Sequence, residues 1–165
     1  MQARFVAVAL LLLTPGLAGC GFTPLYAAPG VSSGLSSIES VAPDGRTGFL
    51  LRQALDDVLA RDPSSPPTWR LTMDLKEIRT PRGRRVDSTA SRYELVLIAD
   101  WKLVSVATGA VVLEGDTRTE ATFDRADQPY SAIVANQDAQ SRAASELARK
   151  IQLQLADWIA RTGGR

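Results

Sequence analysis

Few residues in this 165-residue chain are of the types that carry enzyme chemistry. Histidine is absent, and Cys20 is the one cysteine. Ser-His-Asp and Cys-His triads, histidine-ligated zinc and cysteine-rich metal sites are therefore excluded. A periplasmic hydrolase that uses a serine–lysine or carboxylate pair is the enzymatic alternative. We expect a protein that is not an enzyme, with no catalytic residues, no metal and no cofactor.

A run of acidic residues near the middle of the chain has the composition of a metal or acid–base cluster. Strand alternation would place three of these residues on one face, but Arg118 lies among them. We interpret the run as a charged, solvated strand face. Its members are Glu114, Asp116, Glu120, Asp124 and Asp127.

Arginines crowd a second segment, in the predicted hairpin between the first two long strands. They are Arg79, Arg82, Arg84 and Arg85, with Pro81 and Gly83 among them. Guanidinium forks match the geometry of phosphate and carboxylate groups. We interpret these arginines as candidate contacts for such groups, and a solvated loop is the alternative.

The first twenty residues have the organisation of a lipoprotein signal. Arg4 precedes nine consecutive apolar residues, 5–13, which is shorter than the stretch of about 20 that spans a bilayer. Leu17-Ala18-Gly19-Cys20 then resembles the bacterial lipobox, and an ordinary signal peptide is the alternative. We predict a signal peptide at 1–19, lipidation of Cys20 and a lipidated tether at 20–35, in which prolines and glycines forbid a regular helix. By resemblance to the sorting rules of such lipoproteins, Gly21 in place of aspartate implies the outer membrane.

The rest of the chain, 36–165, predicts one α+β domain with the order β-α-β-β-β-α. Apolar residues recur with helical spacing in 47–61, including Phe49, and along a last helix that Ser131 would cap. Three strand-like runs lie between them, and Ile78 breaks the alternation of the first, which suggests a bulge. The fold class is a two-layer sandwich: a four-stranded, mostly antiparallel sheet with both helices on one face. Trp101 and Trp158 are expected in the core.

The charge of the chain argues against one class of partner. Nineteen basic and eighteen acidic residues give a formal net charge of +1. Nucleic-acid binders derive much of their affinity from neutralising phosphates and are usually far more basic. We therefore expect no nucleic acid among the partners.

Two segments resemble one family. Cys20-Gly21-Phe22-Thr23-Pro24-Leu25-Tyr26 resembles the start of mature LPS-assembly lipoproteins of the LptE family, especially the alphaproteobacterial branch, and 136–148 resembles that family's last helix. The resemblance implies a non-enzymatic outer-membrane lipoprotein, facing the periplasm, that plugs the LptD β-barrel during insertion of lipopolysaccharide (LPS).

The resemblance also suggests roles for particular residues. Arg79, Arg82, Arg84 and Arg85 would contact LPS or acidic residues of the barrel lumen. Phe22, Leu25 and Tyr26 would pack on the partner's wall or in the lipid interface, unless they begin the fold or cover a sheet edge. An auxiliary lipoprotein of an ABC-type lipid or solvent transporter is the alternative function.

Overall fold

Three long strands and two long helices form most of the described structure, a computed structural model that covers residues 29–84, 90–124 and 128–163. In chain order the elements are α1 (Val31–Ser36), β1 (Ile38–Val41), α2 (Arg46–Leu59), β2 (Trp69–Arg84), β3 (Ala90–Ser105), β4 (Val111–Asp124) and α3 (Pro129–Thr162). The four strands form one sheet in the order β1-β2-β3-β4. β1 and β2 are parallel, and the two other pairs are antiparallel. The predicted α+β sandwich is confirmed.

Alternation along the strands decides which side chains enter the core. The odd-numbered side chains of β2 and β3 point to the helices, and Leu71, Leu95, Leu97 and Leu103 are fully buried there. Trp101 and Trp158 are buried as predicted, and the Trp158 ring packs edge-on against Trp69, with 5.7 Å between ring centroids. The even-numbered side chains form the opposite face of the sheet, which no helix of the described residues covers. We call this the open face.

α2 lies close to its predicted bounds, but one of its apolar residues is not in the core. Phe49 is exposed, whereas Thr47 and Gly48 are buried. A side chain on Gly48 would collide with the carbonyl oxygen of Pro43, so only glycine fits where the loop from β1 enters the helix. Thr47 Oγ1 donates a 2.7 Å hydrogen bond to the Glu77 carboxylate, which ties the start of α2 to β2.

α3 is one unbroken helix of 34 residues. It starts at Pro129, so the predicted cap at Ser131 is wrong: proline suits the first helical position because it has no N–H to leave unpaired. It ends at Gly163, whose φ of 62° is left-handed, as the two glycines there predicted. Gln140 Nε2 lies 3.1 Å from the Glu77 carboxylate, and Gln152 Nε2 donates to the carbonyl of Val58. These contacts show that α2 and α3 run in the same direction.

Two further expectations about local structure are wrong. Val31–Ser36 forms a short helix despite Gly34, because Val31 and Leu35 are buried in the core and Ser37 N–H bonds the Gly34 carbonyl. β2 has no bulge at Ile78, which pairs directly with Val96. The alternation breaks because a polar residue, Glu77, occupies the helix side, where Thr47 and Gln140 bond its carboxylate. The register shift lies instead between β3 and β4, at Leu103 and Val104.

Candidate functional site

Arg79, Arg82 and the backbone of Arg84 lie toward the end of the β2–β3 hairpin that is far from β1, which we call the distal end. Strand alternation separates them. Arg79 points to the helix side, whereas Arg82 points to the open face and pairs across the strands with Arg92. Arg79 and Arg82, the two whose side chains the structure describes, therefore lie on opposite faces of the sheet.

Arg79 lies over an aromatic pair. Its guanidinium carbon is 5.7 Å from the centroid of the Tyr93 ring, a cation–π distance. Tyr93 in turn stacks on Phe123, with 5.5 Å between the ring centroids and an interplanar angle of 24°. The guanidinium has no carboxylate partner among the described residues, so Tyr93 is the contact that orients it.

Arg82 forms an ion pair with a carboxylate. Arg82 Nε lies 2.6 Å from Glu94 Oε2, and the Glu94 side chain is 13% exposed. Arg92, which the sequence did not single out, pairs with Asp124 at 2.8 Å, and that carboxylate is 73% exposed. The two facing arginines are each neutralised by an acid, so the distal end of the open face has little net charge.

The other sequence-predicted residues are only partly located. The backbone of Arg84 pairs with Ala90 at the end of β2. Arg85, Cys20, Phe22, Leu25 and Tyr26 lie outside the described residues. Lipidation, partner contact by the N-terminal segment and the role of Arg85 therefore stay predictions.

The open face carries an acidic row that spans three strands. Asp74 pairs with Asp100, and Asp100 pairs with Asp116, so three aspartates lie side by side. All three are exposed, and none has an ion-pair partner among the described residues. Each is followed two residues later by a cation on the same face: Lys76, Lys102 and Arg118. The sequence contained these residues, but only the strand register aligns them.

The acidic run predicted as a solvated face lies on the same side. Glu114, Asp116, Glu120 and Asp124 point to the open face, and Arg118 pairs with Glu120 at 2.6 Å. Asp127 lies outside the described residues. Within residues 29–84, 90–124 and 128–163, no group of three acidic or cysteine side chains has a metal-binding arrangement.

One serine has the sequence context of a nucleophile without its chemistry. Gly30-Val31-Ser32-Ser33-Gly34 matches the G-x-S-x-G spacing of hydrolase nucleophiles. Ser32 is exposed in the six-residue helix α1, and the chain has no histidine to serve as its base. The match is therefore one of sequence spacing, without a histidine base beside the serine.

The comparisons with known proteins give the identity of the fold. Residues 35–155 match the family model of LptE, described as lipopolysaccharide-assembly. A Caulobacter crescentus CB15 protein assigned as a lipoprotein is 53% identical, with a TM-score of 0.71 over 80% of this chain and 96% of its own. The chain belongs to the LptE family. It is a member of a family of lipopolysaccharide-assembly lipoproteins, and no curated protein matches it.

More distant LptE-like folds occur among other solved structures. Lipoprotein B of Nitrosomonas europaea is 14% identical, with a TM-score of 0.55 over 77% of this chain and 84% of its own. A minor lipoprotein of Acinetobacter baumannii is 11% identical, with a TM-score of 0.52 over 73% and 88%. At these identities the likeness shows the fold alone. In the part of this LptE-family chain that the structure describes, no helix is both long enough and apolar enough to cross a bilayer.

The two distal ion pairs predict different costs of mutation. Arg82→Gln leaves the half-buried Glu94 carboxylate without its cation and should lower the free energy of unfolding by about 1–2 kcal/mol. Arg92→Gln frees an exposed Asp124 and should cost about 0.5 kcal/mol or less. Urea denaturation at low salt measures both. Equal losses in the two variants would contradict the assignment of Arg82 as a structural cation.

Proposed function

We propose that this chain is an outer-membrane lipoprotein that plugs and supports an LptD-like β-barrel while LPS is inserted into the outer leaflet. It does so without catalysing a reaction. The observation that carries the proposal is the LptE-family match over residues 35–155, together with 53% identity to the Caulobacter protein. The matched region contains the whole sheet and most of α3.

The surface of the domain is compatible with a water-filled lumen. Barrel interiors are polar, so a plug needs a polar surface. The open face carries paired charges at Arg70–Glu39, Arg118–Glu120 and Arg92–Asp124, and the acidic row lies between cationic neighbours. Because the charges of both signs alternate, the face can exchange its water for the polar side chains of a lumen without a large net charge.

The anchor supplies the proximity that such a partnership needs. We propose a signal peptide at 1–19 and a lipidated Cys20 that begins a tether. Because Val31 and Leu35 are buried in the core, the tether ends where α1 begins rather than at residue 35, and the LptE-like domain includes α1. A single acyl chain binds membranes only marginally, whereas two or more hold a protein there stably. A tethered plug meets its barrel at high effective concentration. Phe22, Leu25 and Tyr26, beside the lipid, are proposed contacts to the partner.

The partner can be identified directly. Tagged, lipidated protein is purified from detergent-solubilised outer membranes, with an untagged strain as the control, and the co-purified proteins are identified and quantified by mass spectrometry. We expect a large β-barrel protein in near-equal molar amount. Recovery of inner-membrane transporter components, or of no barrel, would contradict the proposed function.

The arginines are proposed to contact either LPS phosphates or the acidic residues of the lumen. Arg79 is the best placed of the described pair, because Tyr93 holds its guanidinium while no carboxylate neutralises it. Arg82 is less well placed for such a contact, because Glu94 already neutralises its charge. Arg84 and Arg85 follow in the sequence.

A charge-matched pair of variants separates the two contacts. The triple change Arg79→Gln, Arg84→Gln, Arg85→Gln keeps Arg82 and with it the Glu94 pair. If these arginines contact LPS, its affinity in low salt should fall about ten-fold, and the difference should shrink as salt screens the charges. The control removes three arginines from the helices, by Arg52→Gln, Arg149→Gln and Arg161→Gln, and should bind as the parent does. Equal affinities of all three proteins in low salt would exclude the LPS contact.

A further inference from the structure

The two edges of the sheet differ in how far other elements cover them. The outer edge of β4 is covered in part by α3, because Lys150 Nζ donates to the Arg118 carbonyl at 3.0 Å and Arg142 Nη2 reaches the Thr122 carbonyl at 3.4 Å. β1 covers the outer edge of β2 only from Trp69 to Thr72. β2 continues to Arg84, so most of its length has no neighbouring strand on that side among the described residues.

The backbone groups on this free edge can be assigned. The N–H of Trp69 donates toward β1, to the Ser37 carbonyl. Successive residues of a strand direct their N–H and C=O groups to opposite sides, so Leu75, Glu77 and Arg79 also direct theirs outward. No described residue bonds them. Pro81 is next in this alternation and has no N–H to offer. The free edge could pair with about six residues of an extended chain.

The first turns of α3, near this edge, also have an apolar face that no other described element covers. Residues eighteen apart lie on one line of a helix, about five turns apart. Tyr130, Ile133 and Val134 thus continue the line of Ala148, Ile151 and Gln152. Ala148 and Ile151 are fully buried, and Gln152 bonds α2. Tyr130, Ile133 and Val134 are 78%, 56% and 46% exposed.

The exposure has a simple cause, because α2 starts at Arg46, level with Gln140, and does not extend along the first turns of α3. The proximal half of β2 has β1 at its edge and α2 beside α3. The distal half has neither. We call this region, formed by Leu75–Arg79 and Tyr130–Val134, the distal shelf. Its two parts are separate observations, one a row of unpaired backbone groups and the other an unpartnered apolar helix face.

We infer that the distal shelf binds an extended segment of the partner barrel protein, which adds to the sheet as a strand beside β2. Such β-augmentation obtains affinity from backbone hydrogen bonds and specificity from alternate side chains. One face of the segment carries apolar side chains toward Ile133 and Tyr130. The segment also carries acidic residues on both of its faces, because Arg79 on the helix side and Lys76 on the open face have no carboxylate partner among the described residues. A second copy of this chain would instead bring the same cations. The inference rests on the proposed barrel partnership and identifies a surface for it.

Hydrogen exchange followed by mass spectrometry tests the inference on the lipidated full chain, alone and in the complex recovered by the tag. The peptide spanning 73–82 should exchange at least about ten-fold more slowly in the complex, while peptides from β4 change little. Arg79→Pro removes one outward N–H and should abolish this slowing, whereas Arg79→Lys keeps the N–H and the charge and should retain it. Unchanged exchange of β4 verifies that the proline variant is folded.

A second pair of variants tests the helix side of the shelf without touching the sheet. Ile133→Glu should reduce the slowing at 73–82, whereas Leu153→Glu, at an exposed apolar position elsewhere on α3, should not. A co-purified barrel with exchange at 73–82 as fast as in the isolated chain would overturn the inference alone. Protection that is already present in the isolated chain would also overturn it, because the chain itself or a second copy would then cover the edge. Absence of any barrel would overturn the proposed function and the inference with it.

Discussion

Apolar side chains at alternate positions of β2, β3 and β4 can leave water only if helices cover that face of the sheet, and α2 and α3 cover it together. Their parallel packing is fixed at one end by the Glu77 carboxylate, which bonds Thr47 of α2 and Gln140 of α3. This one-sided cover leaves the opposite face to charged residues. It also ends before the sheet does, so the distal half of β2 has backbone groups, and the first turns of α3 have apolar surface, without partners among the described residues.

The one-sided helix cover and the exposed distal end are typical of a protein that acts by binding. The core continues as far as Leu95, which pairs with Arg79 across the strands and is fully buried, so the distal end presents Arg79 and the shelf from a packed base. The Tyr93–Phe123 stack gives the distal end a rigid support that does not depend on α2. A packed body with an accessible end suits the barrel partnership proposed above.

The sequence predicted the elements well because alternation and helical spacing are strong in β2, β3, β4 and α3. It could also have separated Arg79 from Arg82, since odd and even strand positions face opposite sides. It could not predict the row of Asp74, Asp100 and Asp116, which depends on cross-strand register, or the exposure of Phe49, which depends on where α2 meets the sheet. The helix α1 was missed because burial of Val31 and Leu35 outweighs the local cost of its glycine.

The central claim is that this chain serves LPS assembly by binding rather than by catalysis. The most direct measurement is surface LPS in cells depleted of the protein, quantified by labelling of intact cells, with rescue by the parent chain and by a chain that carries Ser32→Ala. The account predicts that depletion removes newly made LPS from the surface, that LPS accumulates inside the cell envelope, and that both chains restore it equally. Normal surface LPS after depletion, or rescue by the parent chain alone, would contradict it.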